Sequence, residues 1–266
     1  MTTPSSLFTH LIRGLGWLGL ALILVVIFLS DFLAHAPAGA TLAGAELLPP
    51  SPGHPFGTDV LGRDVLSETV HGLHQTGKQA LAAAVIAIFA GGFFGVMAAR
   101  LPRALALSLR GLIGVFASVP ALLLTMVFVG LAGHDMLAYA AGLAVAPLGF
   151  LRGFDSVDLS SAHAKYARAT GISGLTLLRR DLTYDFQHIL PQVVARALAA
   201  VTILVSTASF LGFGASPPAR DLGLIIAAAK ASYLTEWWTA LFPAAVLVLF
   251  VLCARLAAGL EEGERA

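Results

Sequence analysis

The feature that most limits this chain is the recurrence of long apolar segments with almost no charge. About 20 largely apolar residues in a helix cross the hydrocarbon of a bilayer. Six segments meet or approach that requirement, at 15–33, 80–99, 111–131, 136–150, 193–211 and 239–258, the fourth being the shortest. Residues are 58% hydrophobic and only 12% charged, so a water-soluble fold would lack the polar surface to cover its apolar atoms. Backbone groups in lipid must satisfy one another, so helices are the expected spanning elements. The expectation is an all-α polytopic membrane protein with six transmembrane helices. The second to fourth segments are rich in Gly and Ala, which lets helices approach closely where lipid supplies no hydrophobic drive. Pro120 and Pro147 fall inside apolar runs and predict kinks, because each removes a backbone donor.

Orientation follows from the basic residues. With the N-terminus inside, Arg63, Lys78, Arg220 and Lys230 face outward and the other 12 of the 16 Lys and Arg face inward. That is the positive-inside asymmetry, and it places both termini in the cytoplasm. Polar stretches then lie outside at about 34–79 and 212–238, and inside at about 151–192. The first apolar stretch is longer than a signal-peptide core and reads as a retained anchor, although Ala34-His35-Ala36 has the small-x-small pattern of a cleavage site. The inner stretch carries its own pattern: helix formers from Ser160 to Thr170, breakers at Gly171 and Gly174, then Leu178, Leu182, Phe186 and Ile189 at helical spacing. Two short helices lying on the membrane surface or against a partner are expected there.

Several function classes fall away on chemistry. A net charge of +1 gives no basic field for nucleic acid, and the lone Cys253 can form no intramolecular disulfide. Gly72 to Lys78 reads like a phosphate-binding loop, but Gln79 replaces the hydroxyl that would hold magnesium, and a membrane span follows. Gly171-Ile172-Ser173-Gly174 spells the motif of rhomboid-type intramembrane serine proteases. The only later histidine is His188, in the polar inner segment, so Ser173 has no base on a membrane helix. His71 and His74 share a helical face without a carboxylate or thiol cluster, which makes them surface histidines rather than metal ligands. Glu236-Trp237-Trp238 reads as an interfacial anchor.

The run His54 to Val70, HPFGTDVLGRDVLSETV, closely resembles a signature of the second permease subunit in the dipeptide/oligopeptide/nickel ABC importers. Its most distinctive residues are Gly57, Thr58, Asp59, Gly62, Arg63 and Asp64. The stretch Ala208 to Pro218, then Tyr233-Leu234 and Trp238 to Pro243, continues the likeness. A third, weaker resemblance lies at the cytoplasmic loop that couples such permeases to their ATPases. Here Lys165-Tyr166-Ala167-Arg168-Ala169-Thr170-Gly171 stands where that loop belongs, and Ile189-Leu190-Pro191 closes it. Lys165 occupies the usual acidic position, and Gly171 to Pro191 is about seven residues longer than the family pattern, roughly two helical turns.

The resemblance implies a type I ABC importer permease fold with a cytoplasmic coupling helix. The ATPase-coupling residues would be Ala162, His163, Lys165, Tyr166, Ala167, Arg168, Ala169, Gly171, Ser173, Gly174 and Leu175. It divides the chain into an N-terminal part with the outer motif (1–73), a permease domain (74–260) and a short tail (261–266). The chain itself would hold no cofactor or metal and perform no catalysis, since ATP and magnesium belong to two partner ABC ATPase subunits or domains. A homologous second permease would complete a heterodimer in the inner membrane lipid, and an extracytoplasmic binding protein would deliver a peptide, nickel or a metal-opine chelate. The rival class is a secondary transporter or channel, which would be expected to show internal repeats; none is convincing between the two halves.

Overall fold

A computed structural model of the chain describes residues 4–34, 36–132, 190–214 and 220–259. Among these, eight α-helices follow in order: α1 (Pro4–Phe28), α2 (Ser30–Leu33), α3 (Val65–Arg100), α4 (Arg103–Ser118), α5 (Ala121–Ala132), α6 (Leu190–Ala208), α7 (Leu222–Ala228) and α8 (Trp238–Ala258). A π-helical turn, Ser209–Phe213, extends α6, and a 3-10 turn, Ala229–Ala231, extends α7. Among the described residues the only β pairing is two isolated bridges between α2 and α3. The all-α expectation therefore holds. Three described helices, Phe8–Phe28, Leu190–Phe213 and Trp238–Ala258, are long and apolar enough to cross a membrane, and they correspond to the expected first, fifth and sixth spans. The expected fourth span, at 136–150, lies outside the described residues, as do Pro147 and the inner segment up to residue 189.

Two expectations need correction. The second span is not confined to 80–99, because Asp64 caps a helix that starts at Val65, its carboxylate accepting from Ser67 N at 2.8 Å. Hydropathy finds the lipid-facing part of a helix, whereas an N-cap marks where the helix begins. At 1.5 Å per residue, the 36 residues of α3 extend about 54 Å, well beyond a hydrocarbon layer about 30 Å thick. The same helix runs unbroken past residues 73 and 74. The third span is not a kinked continuous helix: α4 stops at Ser118 and α5 restarts at Ala121, with Pro120 O accepting from Leu123 N at 2.9 Å to open the new helix. Proline suits a first turn, where its missing N–H is not needed, better than a helix interior.

The core forms where α1, α3, α6, α7 and α8 meet, around Leu20, Ile27, Leu73, Leu198, Leu222 and Phe250. Small residues set the distances. A Cβ on Gly16 would collide with the backbone of Leu256 and Ala257, and one on Gly19 would collide with the Cys253 sulfur, so α1 lies directly against α8. On the other side of the bundle, Ala80 and Ala83 of α3 pack on Val201, Val205 and Ala208 of α6. The stretch between α6 and α8, read as polar and outside, contains α7, which packs into the bundle and buries Leu222 and Ile225. Ten residues of apolar helix, Leu222–Ala231, are too few to cross a bilayer.

Candidate functional site

The segment between α2 and α3 carries the clearest sequence motif, and it folds into a cap tied by side chains rather than by a sheet. Two turns need a backbone that L-residues rarely adopt: Gly57 has φ of +71° and Gly62 has φ of +70°. At both, a side chain would also strike a neighbour. A Cβ on Gly57 would lie 2.6 Å from Leu48 O and 2.7 Å from Trp238 Nε1, and one on Gly62 would meet Leu42 O. Between the two glycines, Thr58 is fully buried. Its hydroxyl donates to Ala45 O at 2.5 Å and accepts from Leu48 N at 2.7 Å, and its own N–H donates to Leu48 O at 2.9 Å. Asp59 holds the following turn by accepting from Leu61 N at 2.8 Å and Arg63 N at 3.0 Å.

Charges close the cap against the bundle. Arg63 grips Asp59, with Nε donating at 2.7 Å to Oδ2 and Nη2 at 2.5 Å from the same oxygen. Glu68, on the first turn of α3 and nearly fully buried, accepts from Arg220 Nη1 at 3.2 Å and from Gly39 N at 2.7 Å, with Arg63 Nη1 at 3.8 Å. Two carboxylates thus face two guanidiniums. The balance matters, because removing one partner from a buried pair leaves an uncompensated charge that costs about 3–5 kcal/mol. Asp64 serves three groups at once: the Ser67 N–H and hydroxyl, both at 2.8 Å, and the His54 ring nitrogen at 3.0 Å.

The cap is also bolted to the far end of the sequence. Trp238 Nε1 donates to Thr58 O at 3.2 Å across a separation of 180 residues, and Phe56 stacks on Phe242 with ring centroids 4.1 Å apart. Trp238 is therefore a buried strut rather than an interfacial anchor, and only Trp237, about half exposed, keeps the anchoring geometry. The histidines need the same correction. His71 Nε2 donates to Ala36 O at 3.3 Å and His74 Nδ1 to Ile27 O at 2.5 Å, so on α3 His74 holds the end of α1 and His71 the chain just after α2, instead of facing solvent. Among the described residues no three His, Cys, Asp or Glu side chains gather as metal ligands. The run Gly72 to Lys78 is helical and internal to α3, where its N–H groups are committed to the helix and cannot cradle a phosphate.

A second buried polar knot fixes α7. Asp221 is fully buried; it accepts from Ser209 Oγ at 2.6 Å and caps α7 by accepting from Leu224 N at 3.0 Å. Leu222 N donates to Thr76 Oγ1 on α3 at 3.0 Å. The π turn that brings Ser209 to this point passes through Gly212, with φ of +94°. The sequence motif groups Gly57, Thr58, Asp59, Gly62, Arg63 and Asp64, which all fall in the cap; the parts played by Glu68, Asp221 and Trp238 were missed, and Arg220 was given only an outward-facing charge. An N-cap signal, Asp before an apolar helix, was available for Asp221 alone. The expected ATPase-coupling residues, Ala162 to Leu175, lie outside the described residues.

The family model described as the binding-protein-dependent transport system inner membrane component matches residues 91–260. A probable D,D-dipeptide transport system permease protein of Escherichia coli (strain K12) is 28% identical over 238 residues, covering 86% of this chain and 78% of that protein. A di/tripeptide transport system permease protein of Pseudomonas aeruginosa (strain UCBPP-PA14) is 27% identical over 234 residues, covering 85% and 74%. An oligopeptide transport system permease protein of Mycobacterium tuberculosis is 28% identical over 218 residues, covering 80% and 75%.

Proposed function

This chain belongs to the family of binding-protein-dependent transport system inner membrane components, and we propose that it forms half of an import pathway for a peptide-like solute, paired with a homologous second permease. The family match over 91–260 is the observation that carries the transport reading. The chain is a permease subunit of a binding-protein-dependent ABC importer in the inner membrane. It is not itself an enzyme: ATP is hydrolysed on partner ATPase subunits, and an extracytoplasmic binding protein supplies the solute. Family membership removes the secondary-transporter and rhomboid readings. The peptide class rests on the names of the relatives described above, which handle D,D-dipeptides, di- and tripeptides and oligopeptides.

In this reading both termini are cytoplasmic, as the basic residues require, and the cap containing Gly57 to Asp64 lies outside. Ala162 to Leu175 contacts the ATPase from inside. Transport needs two arrangements of the bundle whose balance the ATPase shifts. The cap braces α1, α3, α7 and α8 through Thr58, Glu68, His74 and Trp238, which supports those helices moving as one body. Replacing Ala167 or Gly171 with Arg or Glu should abolish ATPase association and uptake while the chain still reaches the membrane. Intact association and uptake would remove the coupling assignment. A reporter fused within 151–192 should be cytoplasmic, and an external signal would overturn the orientation.

A further inference from the structure

One concavity among the described residues lies away from the cap. It is a groove of about 530 Å³ between α6, α7 and α8, lined by Ile203, Phe210, Ile226, Leu247, Val251 and, at one end, Arg255. Its lining selects an occupant. The sides are the apolar side chains of Ile203, Phe210, Ile226, Leu247 and Val251, and Arg255 is the single charge. An alkyl chain with an anionic head matches that distribution, on two helices long and apolar enough to cross a bilayer.

Charge and depth agree with that occupant. The 21 residues of α8 rise about 31 Å, matching the hydrocarbon thickness, with Trp237 at one boundary. Arg255 stands in the last turn, at the level of the opposite headgroups. It is exposed, and no carboxylate among the described residues pairs with it. Basic residues between transmembrane helices on the cytoplasmic side attract anionic headgroups. We infer that the groove between α6, α7 and α8 holds one acyl chain of an anionic phospholipid, with Arg255 on its phosphate. The inference goes beyond the transport reading and takes from it only the leaflet, the inner one.

The test uses the assembled importer in uncharged detergent, with its thermal midpoint titrated by phosphatidylglycerol and by phosphatidylcholine of the same chain length. Phosphatidylglycerol should act at concentrations about fivefold lower, the worth of one cation against an anionic lipid, and Arg255→Gln should erase that difference. Val251→Trp, which fills the groove, should weaken both lipids. A photo-reactive residue at Val248 in the otherwise unaltered chain should label lipid. Equal action of the two lipids, an Arg255→Gln protein that keeps the preference, or labelling of the second permease or of this chain's own 133–189 would overturn the site. ATPase activity and peptide uptake of the same preparation report on the transport reading independently, so either conclusion can fail alone.

Discussion

Replacing Gly57 with alanine tests whether the cap is packed solid or merely folded over the bundle. Two costs arise at that residue. The left-handed backbone, φ +71°, costs an L-residue about 1–2 kcal/mol. The new methyl would also lie 2.6 Å from Leu48 O and 2.7 Å from Trp238 Nε1; relieving such overpacking costs about 1–3 kcal/mol. Together they lower the stability of the cap by roughly 2–5 kcal/mol. Gly44 separates the two effects, since its φ is +80° but nothing lies within 4 Å of a Cβ, so Gly44→Ala should cost only about 1–2 kcal/mol. Gly53, with open space and no positive φ, should tolerate alanine at no cost. Hydrogen exchange of the Thr58 and Val65 amides, which donate to Leu48 O and Gly57 O, reads local opening directly. With a tenfold change per 1.36 kcal/mol, Gly57→Ala should accelerate exchange about 30-fold to several-thousand-fold, and Gly44→Ala about 5- to 30-fold. Equal acceleration in the two variants would mean that Leu48 and Trp238 yield freely, and the packing argument would be wrong.

Other perturbations follow from the same contacts. Trp238→Phe leaves the buried Thr58 carbonyl without its donor and should cost about 1–2 kcal/mol; it should also remove a blue-shifted component of the tryptophan emission, whereas Trp237→Phe should remove a red-shifted one. Gly16→Leu drives a side chain into the α8 backbone and should lower accumulation of the chain in membranes, while Gly14→Leu, with open space around it, should not; immunoblotting of membranes measures both. Asp221→Ala deprives α7 of its cap and Ser209 of its acceptor, a loss of about 1–3 kcal/mol. It should make a cysteine placed at the buried Ile225 reactive toward maleimide, with Asp221→Asn, which keeps an acceptor, showing a smaller change.

Solvent and secondary structure were legible in the amino-acid sequence. Apolar length alone marked the first, fifth and sixth spans to within a few residues at most ends, because a helix in lipid has no other way to satisfy its backbone. The start of the first span was the exception: α1 begins at Pro4, where polar residues extend the helix beyond its apolar part. The motif HPFGTDVLGRDV was legible for a similar reason, since glycines at positive φ and Asx side chains that bond to their own loop act over a few residues. Roles that depend on distant partners emerged only from the packing. Trp238 reads as an anchor until Thr58, 180 residues away, offers its carbonyl, and nothing local marks Glu68 as buried until Arg220, 152 residues on, meets it. Two residues with the same local sequence signal can be strut or surface, and only the partner that the fold brings to them settles which, because the cost of burying a donor or a charge depends on what it meets there.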